Sequence, residues 1–292
     1  MSRIVALGDL NLDVFARAPS SVEPGGERRS TVRAVPGGSA GTFARVAADE
    51  GADVSFIGCV GTDLIGDLLI RSLRDSGVDT FVARIEKPSG TILALEQGDE
   101  RTMVCSRGAN DGLNEASIPK GLFADADHLH VSGYMVLSPR QLPAARYTIE
   151  LARQHDMTVS LDPPPANLIA SFGVDAFLAE IADVDWFFPN LAEGRILTGS
   201  DTPDKVVGVL SGIFSTGALT LGPSGALAWG DGERDLHEPK EIVPGNPTGA
   251  GDAFAAAFVV ARLAGRSLSA ANARACVVAA ERIRWDDSAP GS

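Results

Sequence analysis

Between Asn246 and Phe254 the chain reads Asn-Pro-Thr-Gly-Ala-Gly-Asp-Ala-Phe, setting glycines, a carboxylate and the start of an Ala-rich apolar run beside one another. Pre-proline sterics favour an extended Asn246, and Thr248 is placed to cap a helix beginning near Gly249. The backbone N–H groups of Gly249, Ala250 and Gly251 would then point outward unpaired, a setting that attracts anions. Small residues there let a phosphate approach the main chain. Asp252 in the same turn repels a resting anion, so it fits better as a proton acceptor for chemistry beside that phosphate. The combination points to phosphoryl transfer. Read alone, the same residues also describe a capped core helix whose Asp252 complements the dipole, and the rest of the chain has to decide.

The elements that would position this segment are legible as an alternation. Residues 4–8, 54–59, 128–132, 158–162, 186–189 and 218–222 are short apolar runs, several ending at Gly, Pro or Asp, and are predicted strands. Helical patterns over 43–49, 63–77, 142–155, 253–264 and 268–282 lie between or after them. Such alternation predicts an α/β fold with a mostly parallel sheet covered on both faces. Residues 14–35 and 80–106 instead alternate polar and apolar side chains without a helical period. They are expected to pair as a small sheet, a lid over the crevice at the strand C-terminal ends where ligands bind in open α/β sheets. With no repeat or long linker, residues 1–292 are expected to form a single two-lobed unit.

Other residues face the same crevice in this reading. Gly37-Gly38-Ser39-Ala40-Gly41-Thr42 precedes a helix, and glycines at such a junction permit close approach to a ligand. The first strand empties into Gly8-Asp9-Leu10-Asn11-Leu12-Asp13, where Asn11 and Asp13 share a side and could grip a hydroxylated ligand. Local turn capping by Asn and Asp is the alternative.

Composition excludes several classes. A formal net charge of −13 argues against a nucleic-acid surface, and 45% hydrophobic residues over 292 positions support a substantial core. Cys59, Cys105 and Cys276 lie far apart, leaving no disulfide framework or thiolate metal site to expect. Without a leader or a bilayer-length apolar run, a soluble cytoplasmic protein is expected. None of the four histidines has a partner at ligand or triad spacing, so His128, His130, His155 and His237 are expected to be structural or at the surface.

In order and separation the motifs resemble those of the ribokinase-like (PfkB) carbohydrate kinases. Asn246 to Asp252 is similar to that family's Asp-Thr-Thr-Gly-Ala-Gly-Asp, and Gly37-Gly38 with Gly61-Thr62-Asp63-Leu64-Ile65-Gly66 to its Gly-Gly region and Gly-x-Asp-x-x-Gly. Asn190-Leu191-Ala192-Glu193 resembles its Asn-x-x-Glu, and Thr220-Leu221-Gly222-Pro223-Ser224-Gly225 its nucleotide loop. The resemblance implies a three-layer α/β/α sandwich with a small β lid. It also implies transfer of the ATP γ-phosphoryl group to a hydroxymethyl oxygen of a sugar or nucleoside. Asp252 would be the base and Gly249, Ala250 and Gly251 the anion hole. Asn11, Asp13, Gly38, Ser39, Thr42 and Asn110 carry over as substrate contacts. Asp162, Asn190, Thr220, Gly222, Gly225 and Asn272 carry over to the nucleotide side, and Glu193 with Asn190 to Mg2+ through water.

Departures from the family pattern limit what can be said of the acceptor. Thr42 stands where relatives commonly have Asn. Asn246-Pro247 replaces Asp-Thr and removes a carboxylate that helps hold a monovalent cation, so weak or absent potassium activation is expected. The closing Trp285-Asp286-Asp287-Ser288-Ala289-Pro290 is more acidic than typical, which bears on the same cation site. A free sugar, sugar acid or nucleoside is the expected acceptor. A phosphorylated sugar would need a cation, and Arg33, Arg101 and Arg107, the candidates near the lid, are expected to be solvated. A sugar or nucleotide sensor without turnover is the competing class. Exposed lid edges would allow a homodimer.

Overall fold

In the computed structural model, which describes residues 1–18, 27, 29–97, 100–239, 241–242 and 246–285, the predicted alternation becomes a layered fold. The first half comprises β1 (Arg3–Leu7), β2 (Asn11–Ala18), β3 (Thr31–Gly37), α1 (Ser39–Asp49), β4 (Asp53–Gly61), α2 (Leu64–Asp75), β5 (Asp79–Ile85), β6 (Gly90–Gln97) and β7 (Glu100–Ser106). There follow β8 (His128–Ser132), α3 (Tyr134–Leu137), α4 (Leu142–Gln154), β9 (Thr158–Asp162), α5 (Ala166–Phe172), α6 (Val174–Glu180), β10 (Trp186–Phe187), α7 (Leu191–Thr198) and α8 (Pro203–Leu210). The chain continues through β11 (Thr216–Thr220), β12 (Ala226–Gly230), β13 (Glu233–His237), α9 (Ala250–Leu263) and α10 (Leu268–Trp285).

Nine strands form the main sheet in the order β13-β12-β11-β10-β9-β8-β1-β4-β5. All neighbours are parallel except β12, which is antiparallel to both β11 and β13. Alternation along β1 sends Val5 and Leu7 into one core cluster and Ile4 and Ala6 into the other, the two-sided burial a parallel sheet requires. Residues of α4, α5, α7 and α8 fill the first cluster, and residues of α1, α2, α9 and α10 the second. Ala253, Ala255, Ala256, Ala257 and Ala261 are all buried. These small side chains let α9 pack closely against both α1 and α10, and a helix apolar all round is one that is enclosed.

The second sheet has the order β3-β2-β6-β7. β2 pairs parallel with β6 and antiparallel with β3, and β6 is antiparallel to β7. This lid is shorter than the alternation suggested: residues 79–85 form the edge strand of the main sheet, paired with β4, and the lid resumes only at Gly90. An edge strand with one solvated face shows the same alternation as a lid strand. Part of the 14–35 segment and residues 286–292 lie outside the described residues.

His128 and His130 are wholly buried, bonded to Thr158 and Ser160, with His130 stacked on Phe43 at 3.6 Å. No helix among the described residues is long and apolar enough to cross a membrane. The three cysteines are free thiols.

Candidate active site

The carboxyl ends of β1, β8, β9 and β11 converge beneath the lid, delivering Asp9, Tyr134, Asp162 and Thr220 to one cleft of about 270 Å3. Asn11, Asp13, Gly38, Ser39, Thr42, Asn190, Glu193, Gly249, Gly251 and Asp252 line it too. Residues scattered from position 9 to 252 in the sequence are thus assembled where an open α/β sheet binds ligands.

The acceptor end depends on the glycine pair. Gly38 has φ +89°, and a Cβ there would sit 2.4 Å from the Asp9 carbonyl. A Cβ at Gly37 would sit 2.1 Å from Asp13 Oδ2, so only glycine lets the Asp13 carboxylate lie over this turn. Asn110 plays a different part from the contact expected of it. Its side chain is 1% exposed; Nδ2 donates to Asn11 Oδ1 at 2.7 Å and Oδ1 accepts from Leu10 N at 3.0 Å. Asn110 therefore orients Asn11 and does not line the cleft.

The phosphoryl end corrects two expectations. Thr248 does not cap α9: the N-cap is Gly249, with φ 76° and no side-chain cap bond. Asn246 performs the turn instead, Oδ1 accepting from Thr248 N at 3.0 Å and from Thr248 Oγ1 at 2.5 Å, while Nδ2 reaches Glu96 of the lid at 3.0 Å. The Ala250 N–H is also not outward, since it donates to the Pro247 carbonyl at 3.1 Å. The amides of Gly249 and Gly251 donate to no backbone carbonyl among the described residues, so two of the three amides expected to be unpaired are so.

Asp252 and Asp162 line the same cleft, close enough for their carboxyls to act on one another. Both carboxyls are half-buried, open to the cleft on one side and enclosed by protein on the others. Burial raises the pKa of Asp162 well above its ordinary value, and the charges of Asp252 and Glu193 push it further the same way. Burial raises Asp252 as well, while Ser39, Asp162 and the charges of Arg282 and Arg45 hold it back. Ser39, expected to touch substrate, thus lies beside Asp252 and favours its ionised form.

Glu193 is 6% exposed, and burial pushes its pKa up to about 7. It completes a capping box on α7: Oε2 accepts from Asn190 N at 2.8 Å, Oε1 from Asn190 Nδ2 at 2.6 Å, and Glu193 N donates to Asn190 Oδ1 at 3.0 Å. Each carboxylate oxygen keeps a lone pair for water. No cluster of His, Cys, Asp or Glu among the described residues could hold a metal directly, so the donor set fits a hard cation retained through its own waters.

Three residues assigned to the nucleotide side are not among those lining this cleft. Gly222 is exposed on the surface turn after β11. Gly225 packs against β13, where a Cβ would stand 1.9 Å from the His237 carbonyl. Asn272 is 0% exposed, its Nδ2 donating to the carbonyls of Ala226 and Asp235, each at 3.0 Å, and to Asp235 Oδ2 at 2.9 Å. It clamps α10 to the β12–β13 hairpin. Thr220 does line the cleft, held beside Asn190 by an extra bridge beyond β11.

Arg107, expected to be solvated, also lines the cleft. Nη1 and Nη2 donate to the two oxygens of Asp9 at 2.9 and 3.2 Å, and Nε donates to Asp111 at 2.8 Å. The acid four residues on was the sequence signal for a held arginine. Arg33 lies over the Phe15 ring in the lid, its guanidinium carbon 5.4 Å from the centroid, and the side chain of Arg101 is outside the described residues. Arg282 and Tyr134 line the cleft without having been singled out.

Comparison with known proteins gives the same answer as the geometry. The profile of the pfkB family carbohydrate kinases matches residues 1–286. The chain is 31% identical to the ATP-dependent ribose-1-phosphate kinase of Halopiger xanaduensis, over 94% of this chain and 90% of that protein. It is 31% identical to the 2-dehydro-3-deoxygluconokinase of Bacillus subtilis, over 80% and 74% respectively. The fold superposes on adenosine kinase from Sinorhizobium meliloti with a TM-score of 0.87 at 22% identity, covering 97% of this chain and 94% of that one. With its sandwich, its lid and a cleft built from motifs spread along its length, the chain belongs to the pfkB family of carbohydrate kinases.

Proposed function

We propose that this kinase transfers the γ-phosphoryl group of ATP to a hydroxymethyl oxygen of a free sugar, sugar acid or nucleoside, with Asp252 as the base. The observation that carries the reading is the Asp252 carboxyl in the first turn of α9. It opens to the cleft beside two glycine amides that meet no backbone carbonyl among the described residues, and burial makes it more basic. The acceptor oxygen attacks phosphorus, the bond to the ADP oxygen breaks, and the hydroxyl proton passes to Asp252. The Gly249 and Gly251 amides donate to the oxygens of the moving phosphoryl, whose transition state needs placement and charge stabilisation above all. Ser39 and the nearby arginine charges favour the ionised form of Asp252. Glu193 and Asn190 would hold Mg2+ through water, and the ion would neutralise polyphosphate charge.

Support for an unphosphorylated acceptor comes from Arg107. Its guanidinium is committed to Asp9 and Asp111 and has little charge left for a second phosphate. Support for a phosphorylated one comes from the ribose-1-phosphate kinase relative and from Arg282 in the cleft wall. A coupled ADP-release assay over D-ribose, 2-dehydro-3-deoxygluconate, adenosine and ribose 1-phosphate separates them. Faster turnover with a phosphate-free acceptor, unchanged when potassium is replaced by sodium, is expected. Preference for ribose 1-phosphate would select the second reading, and tight binding without ADP release would make the protein a sensor.

A further inference from the structure

Arg45 is a charge that the mechanism above leaves almost unused. It leaves α1 and leans back along its own helix, as helical side chains do. Nη2 donates to the Pro36 carbonyl at 3.0 Å and to Thr42 Oγ1 at 3.3 Å. Nη1 is buried without a hydrogen-bond partner, and the guanidinium forms no ion pair among the described residues. Burial lowers its pKa to about 10 and Arg282 adds to the lowering, against the pull of Asp13, Asp252 and Asp49. An aliphatic side chain would fill this place without the desolvation penalty of a cation. Stability is therefore a poor reason for an arginine here.

Thr42 shows what the charge could do. It is 4% exposed and lines the cleft, its oxygen accepts from Arg45, and its own hydroxyl hydrogen finds no acceptor among the described residues. Asp13 lies over Gly37 on the same wall, within the field of the guanidinium.

Building on the kinase reading, we propose that Arg45 is a positioning residue that sets the polarity of the acceptor pocket. It occupies a lone pair of Thr42 Oγ1, so that the hydroxyl points into the cleft as a donor, and its charge acts on Asp13 across the same wall. The pocket then suits a polyol that offers one oxygen lone pair to Thr42 and hydroxyl hydrogens to Asp13. An Asn at position 42 could satisfy both polarities by itself; Thr42 needs Arg45 to fix its direction.

The test uses whichever of the four acceptors above the wild-type enzyme turns over fastest. Arg45→Met should raise the KM for that acceptor about tenfold, the size of one lost charged hydrogen bond, with a smaller fall in kcat from the charge withdrawn from Asp252 and the KM for ATP little changed. Arg45→Lys, which restores the charge, should recover part of the loss. Adding Thr42→Val to Arg45→Met should cost little more, because the two side chains act as a unit. An acceptor KM that stays at the wild-type value in Arg45→Met, a loss confined to kcat, or fully multiplicative effects of the two substitutions would overturn the proposal. Failure of the wild-type chain to release ADP with any of the four is a different result, which removes the kinase reading itself.

Discussion

His128 and His130 share with Asp162, Glu193 and Asp252 the property of being titratable and enclosed, yet the two groups do opposite things. The histidines sit within β8, bonded to Thr158 and Ser160, with Phe43 stacked on His130, whose Nε2 is buried without a partner among the described residues. Burial alone drives the pKa of His128 down to about 3. The carboxyls sit where the strands end. There burial is joined by repulsion from Asp252, and Gly249 and Gly251, whose amides meet no backbone carbonyl among the described residues, line the same cleft. A displaced pKa therefore records enclosure; it marks a site only where an opening and unpaired donors accompany it.

The sharpest way to break this contrast is Asp252→Asn. Turnover should fall by roughly 10²–10⁴-fold, the range for loss of a general base, while calorimetric acceptor binding persists. Near-normal kcat would return Asp252 to the role of helix complement.

The next test sets the two groups against each other by pH. Glu193, at about 7 when folded and 4.5 ordinarily, binds its proton more tightly in the folded state. Its contribution is complete below pH 4.5 and is lost as pH rises through 7, about 3 kcal/mol in all. His128 has the reverse sign. The unfolded chain takes up a proton below 6.5 that the folded chain refuses until about 3, so stability falls by roughly 1.4 kcal/mol per pH unit over that window. Denaturant titrations of Glu193→Gln should show stability gained over wild type as pH rises from 4.5 to 8. Those of His128→Gln should show a shallower loss below 6.5. Parallel pH curves for wild type and either variant would mean that its group is not perturbed as described.

Smallest on catalysis is Asn272→Ala. Removing its clamp leaves carbonyls of Ala226 and Asp235 short of a donor, so stability should drop by about 1–2 kcal/mol. The KM for ATP should stay unchanged, and a raised value would put Asn272 back at the nucleotide.

What the sequence revealed and what it hid divide along physical lines. The limits of residues 128–132 and 158–162 match β8 and β9 to the residue, because each is a short run bounded by residues that stop strands. The Gly-Gly turn, Asp252 and the Asn190–Glu193 pair were legible because their residue types are demanded by backbone geometry or local hydrogen bonds. Asn110, Asn272 and Arg107 depart from expectation in opposite directions. Two expected as ligand contacts have side chains bonded within the protein, and the third, expected at the surface, lines the cleft. Nothing local in a sequence says which way a polar side chain on a helix or loop will turn; that is settled by distant partners such as Asn11, Asp235 and Asp9. Residues 79–85 were misplaced because pattern reports one wet face, not which sheet owns it.

The bond from Asn246 to Glu96 ties the roof of the cleft to the loop that would hold the transferring group. Glu96 belongs to β6, so any lift of the lid tugs at the turn preceding Gly249. The phosphate cradle should be well formed only when the roof is down over a guest. Water arriving alone would then find a poorly assembled machine, and acceptor-free blanks should release almost no ADP.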